Sequence, residues 1–114
     1  MPRPRCCRSL ARFLEPDTFK AIGDPSRAAL LIQLAAADGP QTVTQLAAAL
    51  PIDVSVVSRH LKVLREVGVV AAERRGKETR HRLDCGDLVH MLRDLADALE
   101  ACCPPTLQNL EDRS

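Results

Sequence analysis

The stretch DVSVVSRHLKVLREVGVVAAERRGKETRHRLD (53–84) decides the fold. Asp53 stands where a helix cap belongs. Val57, Leu61 and Leu64 recur at the steps of one helical face, and Ser55, Ser58, Arg59, Lys62 and Arg65 fall largely on the others. Gly68 is a suitable residue just past a helix end. The spacing predicts a helix over 54–67. After Gly68 the period changes: Val69-Val70-Ala71-Ala72 is a short apolar run, Arg75-Gly76-Lys77-Glu78 a turn, and Thr79 to Leu83 alternates with β-compatible residues. This predicts a two-stranded hairpin with a basic tip.

Upstream, Asp24-Pro25 is a helix start, a capping carboxylate followed by proline at the first helical position. That helix runs to about Ala37 and Gly39-Pro40 ends it. Thr42 with Gln45 three residues later reads as a capping box for a short helix over 43–50, which Pro51 stops. A first helix is expected over 9–22, bent or restarted at Pro16. Downstream, Asp84 or Asp87 opens a last helix through about Cys103, with Leu88, Met91, Leu92, Leu95 and Leu99 apolar. The expected organisation is a mobile basic leader over 1–8, one folded domain over 9–103 and a polar tail over 104–114. The fold class is mainly α with a small β-hairpin (α+β). Helix, short helix, tight turn, second helix and hairpin, in that order, make a winged helix-turn-helix of five or so helices plus a two-stranded wing.

The chain's 114 residues suit one domain. Only 2% are aromatic, with no Trp or Tyr, which argues against base-stacking surfaces. The net charge of +1 conceals strong segregation. Residues 1–12 carry four Arg and no acid, 59–82 carry eight bases and three acids, and 83–114 carry two bases and seven acids. A basic recognition-and-hairpin segment is the form a nucleic-acid surface takes in a small domain. Ser55, Ser58 and Arg59 lie near the start of the predicted recognition helix, where side chains reach base edges. Lys62 and the wing's Arg74, Arg75 and Lys77 suit phosphates. Val54 and Val56 could touch only a thymine methyl or pack locally, and His60 is expected to pack or cap within the fold. A winged module that binds protein in place of DNA is the competing class, disfavoured by the basic segment.

No secretory leader is visible, and no apolar run approaches the ~20 residues a membrane span needs. A cytoplasmic location with no membrane partner is expected. The chain has no Ser/His/Asp set, no Gly-rich phosphate loop and no HExxH motif, so an enzyme is not expected. Of five cysteines, four form adjacent pairs, Cys6-Cys7 and Cys102-Cys103. Arg5, Arg8 and a nearby helix N-terminus favour thiolate at Cys6 and Cys7.

The segments FKAIGDPSRAALLIQL (19–34), VTQLAAAL (43–50), VSRHLKVLREVGVV (57–70) and RRGKETRHRLD (74–84) resemble the ArsR/SmtB family of bacterial metalloregulatory repressors. The resemblance implies a homodimer through the first and last helices. Such a dimer would bind double-stranded operator DNA with an inverted repeat and release it on binding an inducer. One family site uses cysteines at the start of the short helix; here those positions read Thr42-Val43-Thr44. A second binds zinc across the last helices; here Cys85 and Asp87 could ligate, but Ala98 and Ala101 cannot. The resemblance therefore directs attention to Cys6, Cys7, Cys102 and Cys103 as ligands for As(III) or Sb(III), which bond to three sulfurs. Cys85 reads first as a packed residue and only second as a further ligand. A soft metal (Cd, Pb or Hg) and a redox or persulfide signal are the alternative inducers.

Overall fold

A computed structural model describes residues 4–103, leaving out the side chains of residues 4–7 and 9. The expected leader residues 1–3 and tail 104–114 lie outside the described residues. The element order is α1 (Pro4–Phe13), α2 (Pro16–Gly23), α3 (Pro25–Ala36), β1 (Gln41–Thr42), α4 (Val43–Ala49), α5 (Val54–Glu66), β2 (Val70–Arg75), β3 (Glu78–Leu83) and α6 (Gly86–Cys102). These form two compact units: 16–88, and, among the described residues, 4–15 with 89–103.

The 16–88 unit holds the helix-turn-helix and the wing. Asp24 caps α3, its carboxylate accepting from the Arg27 backbone N–H at 3.1 Å. That bond holds the carboxyl below its ordinary pKa, aided by the charge of Arg27. The capping box of α4 is complete: Gln45 N–H donates to Thr42 Oγ1 at 3.1 Å and Thr42 N–H to Gln45 Oε1 at 2.9 Å. Asp53 occupies the cap of α5 without a side-chain cap bond. The core gathers Leu30 and Leu34 of α3, Leu46 of α4, Val57, Leu61 and Leu64 of α5, and Val69 and Val70 at the start of the wing. Burying each large aliphatic side chain stabilises by about 1.5–3 kcal/mol.

Of the two outcomes expected at Pro16, the chain takes the restart: Leu14 and Glu15 separate α1 from α2, and Pro16 is the first residue of α2. Proline disfavours helical backbone in the residue before it, so the chain restarts at Pro16 instead of bending. α1 also begins at Pro4, inside the stretch expected as a leader. The sheet has three strands in the order β1-β3-β2, not two. Gln41 and Thr42 pair antiparallel with His81 and Arg80. Thr42, as the cap of α4, is already extended (φ −78°, ψ 163°), so one conformation serves both helix cap and strand.

In the other unit, Leu95 and Ala98 are buried at helical spacing on α6, while Val89, Leu92 and Leu99 are exposed.

Truncating the fully buried Leu30 to alanine should cost about 2–5 kcal/mol. Thr42→Ala, which removes one bond of the capping box, should cost about 1 kcal/mol. Urea unfolding of each variant against the parent measures both, and the ranking Leu30→Ala above Thr42→Ala is the expected outcome.

Candidate nucleic-acid interface

α5 is positioned by what it buries. Val57, Leu61 and Leu64 are sealed in the core, so the helix has one allowed rotation. Ser55, Ser58, Arg59 and Lys62 are then all exposed. Val54, in the first turn of the helix, is 50% exposed, whereas Val56 is half-buried. His60 is half-buried, its Nδ1 lying 3.3 Å from Arg27 Nη1, which fits the packing role expected for it.

The wing follows α5 through a Schellman turn. Gly68 N–H donates to the Arg65 carbonyl at 3.0 Å and Val69 N–H to the Leu64 carbonyl at 3.1 Å. Gly68 has φ 79°, a left-handed conformation that glycine adopts without a Cβ penalty. This closure ties the start of β2 to the last turn of α5. At the tip Gly76 has φ 62° while Lys77 does not share a positive φ, the pattern of a two-residue II′ hairpin turn.

Strand register sorts the wing's charges. Glu73 lies opposite Arg80 and Arg75 opposite Glu78, so these four share one face. On that face Arg75 Nε approaches Glu73 Oε1 at 3.6 Å, and Arg80 Nη2 meets Glu78 Oε2 at 3.0 Å. Arg75, singled out from sequence, is therefore partly neutralised inside the wing. Arg74 and Lys77 have no ion-pair partner among the described residues, and neither does the exposed Arg82, which sequence reading passed over. Alternation in Thr79 to Leu83 carried the signal for Arg82, but only the register shows that it escapes the pairing.

His81 is buried beneath the sheet at 4% exposure, opposite Gln41 and Ala72. Its Nδ1 has no hydrogen-bond partner among the described residues. Burial, with the positive charge of Arg65 as a second cause, pushes its pKa below the ordinary 6.5.

The cysteines are less uniform than their sequence suggests. Cys102 is disulfide-bonded, while its neighbour Cys103 is free and exposed. Cys85 is also free and exposed, following β3 just before α6, and is not the packed residue expected. The side chains of Cys6 and Cys7 lie outside the described residues. Among the described residues no group of three His, Cys, Asp or Glu side chains is arranged to hold a metal ion. Thr42, at a position where the family resemblance would call for a cysteine, uses its hydroxyl to cap α4. No helix among the described residues is long and apolar enough to cross a membrane.

A short helix, a turn, an exposed polar helix and a basic hairpin closed against it define a winged helix-turn-helix protein. A family model described as a helix-turn-helix domain matches residues 22–72. The transcriptional repressor SmtB of Mycobacterium tuberculosis is 36% identical over 78 residues, covering 68% of this chain and 56% of the repressor. The chain thus spans little more than half the length of that relative. The regulator CmtR of Mycobacterium bovis is 37% identical over 82 residues, covering 72% of this chain and 68% of the regulator. A crystal structure described as a possible transcriptional regulator for arsenical resistance superposes with a TM-score of 0.61 at 30% identity, covering 88% of this chain and 98% of that one. The chain belongs to the ArsR/SmtB family of transcriptional regulators.

The buried His81 makes stability pH-dependent. Its folded-state pKa is depressed, so the unfolded chain binds the proton more readily. Its contribution is complete above the unfolded value of 6.5 and is lost progressively as pH falls from there toward the folded value. Denaturant unfolding between pH 8 and pH 5 should therefore show a smaller loss of stability in His81→Phe than in the parent over the lower half of that range.

Proposed function

We propose that this protein is a DNA-binding transcriptional repressor that acts in the cytoplasm as a homodimer. It grips double-stranded operator DNA through α5 and the wing. The observation that carries this reading is the opposition on α5: Val57, Leu61 and Leu64 sealed inside, Ser55, Ser58 and Arg59 displayed outside. Arg59 is assigned to a base edge, with Ser55 and Ser58 beside it. Lys62, Arg74, Arg75 and Lys77 are assigned to phosphates. Of these Arg75 is the weakest, because Glu73 already competes for it. The exposed Val89, Leu92 and Leu99 of α6 support a dimer through α1 and α6. Two-fold symmetry then calls for an inverted repeat with half-sites about one helical turn apart.

The inducer is assigned to As(III) or Sb(III), held by three thiolates drawn from Cys6, Cys7, Cys102 and Cys103, with Cys85 outside the set. Two adjacent thiol pairs supply soft sulfur donors of the kind trivalent arsenic bonds to. The arsenical-resistance description of the 30%-identical crystal structure supports the same direction. Binding must favour the DNA-incompetent state to release the operator. A second reading is favoured by one observation, the disulfide at Cys102. In that reading two thiols lose two electrons and two protons to peroxide, which leaves as two waters, and the disulfide form lets DNA go.

Operator affinity should fall steeply with salt, and Arg74→Ala and Lys77→Ala should each reduce the log–log slope by about one. A flat response would sink the DNA reading. Arg59→Ala should cost about 1–3 kcal/mol on operator DNA and relax discrimination at one base position. Arsenite titration of the fully reduced protein separates the two signals. Release under reduction that disappears in Cys102→Ser supports the metalloid site; release only after peroxide supports the redox one.

A further inference from the structure

Arg27 stands at the junction of three helices of the 16–88 unit. Its side chain is half-buried and all of its guanidinium nitrogens are engaged. Nε donates to the Ala21 carbonyl at 2.7 Å and Nη2 to the Lys20 carbonyl at 3.3 Å. Both acceptors lie in the last turn of α2, where carbonyls have no helical partner. Nη1 lies 3.3 Å from His60 Nδ1, thirty-three residues away on α5. Its own backbone N–H is bound by the Asp24 cap at the start of α3.

The chemistry of the third contact is one-sided. A guanidinium has donors only, so His60 Nδ1 must be the acceptor and the ring must carry its proton on Nε2. His60 precedes Leu61, which anchors α5 in the core, and follows Arg59, which is displayed outward. The core triad fixes the rotation of α5 about its axis through contacts that are themselves non-directional. A hydrogen bond from a rigid fork, itself held at two carbonyls, supplies a directional stop.

We infer that Arg27 is a positioning residue for α5: through His60 it ties the depth of the recognition helix to the C-terminal end of α2, and so sets where Arg59 and Ser58 stand. This goes beyond the proposed DNA-binding role and rests on it for its functional consequence, though not for its physical one. Arg27 itself is not assigned to DNA. The other charged groups around it, Asp17, Lys20 and Glu66, line a cavity of about 420 Å³ beside it with Val63 and Val67.

The test compares His60→Leu, which keeps bulk without an acceptor, with His60→Gln, whose amide oxygen can accept from Nη1. Amide hydrogen exchange over residues 54–60, measured without DNA, should speed up about tenfold in His60→Leu and return toward the parent in His60→Gln. On DNA, the ratio of operator to random-duplex affinity should fall about tenfold in His60→Leu and in Arg27→Ala. The double variant should be no worse than the poorer single one. Random-duplex affinity and its salt slope should not move. Unchanged exchange in His60→Leu, or additive losses in the double variant, overturns the inference. A salt slope reduced by about one in Arg27→Ala also overturns it, because Arg27 would then be touching a phosphate. If Arg27→Ala does not fold, the two His60 variants carry the test. Because the exchange arm needs no DNA, a protein without operator preference defeats the DNA reading while leaving this one still decided.

Discussion

Burial of Val57, Leu61 and Leu64 in one core fixes which way the rest of α5 faces. The same burial holds Leu46 of α4 and Leu30 of α3 around it, so the helix-turn-helix and its scaffold share a single set of apolar contacts. Two directional devices refine what that burial leaves loose. The Schellman turn at Gly68 carries the chain from the last turn of α5 into β2, so the wing inherits its origin from the helix. The Arg27 fork meets α5 at His60.

The electrostatics of the wing follow a different logic from its composition. A count of charges over 59–82 makes the whole segment uniformly basic, but antiparallel pairing puts acids opposite or beside bases on one face. Arg75 and Arg80 spend part of their field on Glu73 and Glu78. Exposed pairs of this kind contribute little stability, about 0–1 kcal/mol each. Their greater effect is to concentrate free positive potential at Arg74, Lys77 and Arg82.

Features coded locally were legible in the sequence. Asp24-Pro25, the Thr42/Gln45 box, the heptad-like spacing of Val57, Leu61 and Leu64 and the Gly76 turn each lie within a few residues of the structure they specify, and α3, α4, α5 and the hairpin stand where those signals put them. What escaped was non-local or too short to carry a period. β1 has two residues, which cannot show alternation, and its partner β3 lies some forty positions later. The split of the first helix needed a choice between two effects of Pro16 that sequence alone left open. The Arg27–His60 bond joins residues with no shared pattern, and neither residue type announces the other. Cys102 and Cys103 are equivalent as letters, yet one is disulfide-bonded and the other free.

The strand order β1-β3-β2 places β2 at one margin of the sheet, with a row of backbone donors and acceptors that β3 does not satisfy. Such a margin invites a second chain to add itself. Glu73, Arg74 and Arg75 occupy the outer half of this strand, and only Val70 at its base is sealed in the core. An incoming strand would have to bring its own backbone against three consecutive charges. The charges along the outer half of the wing therefore also keep it from growing into a ribbon by edge-to-edge pairing.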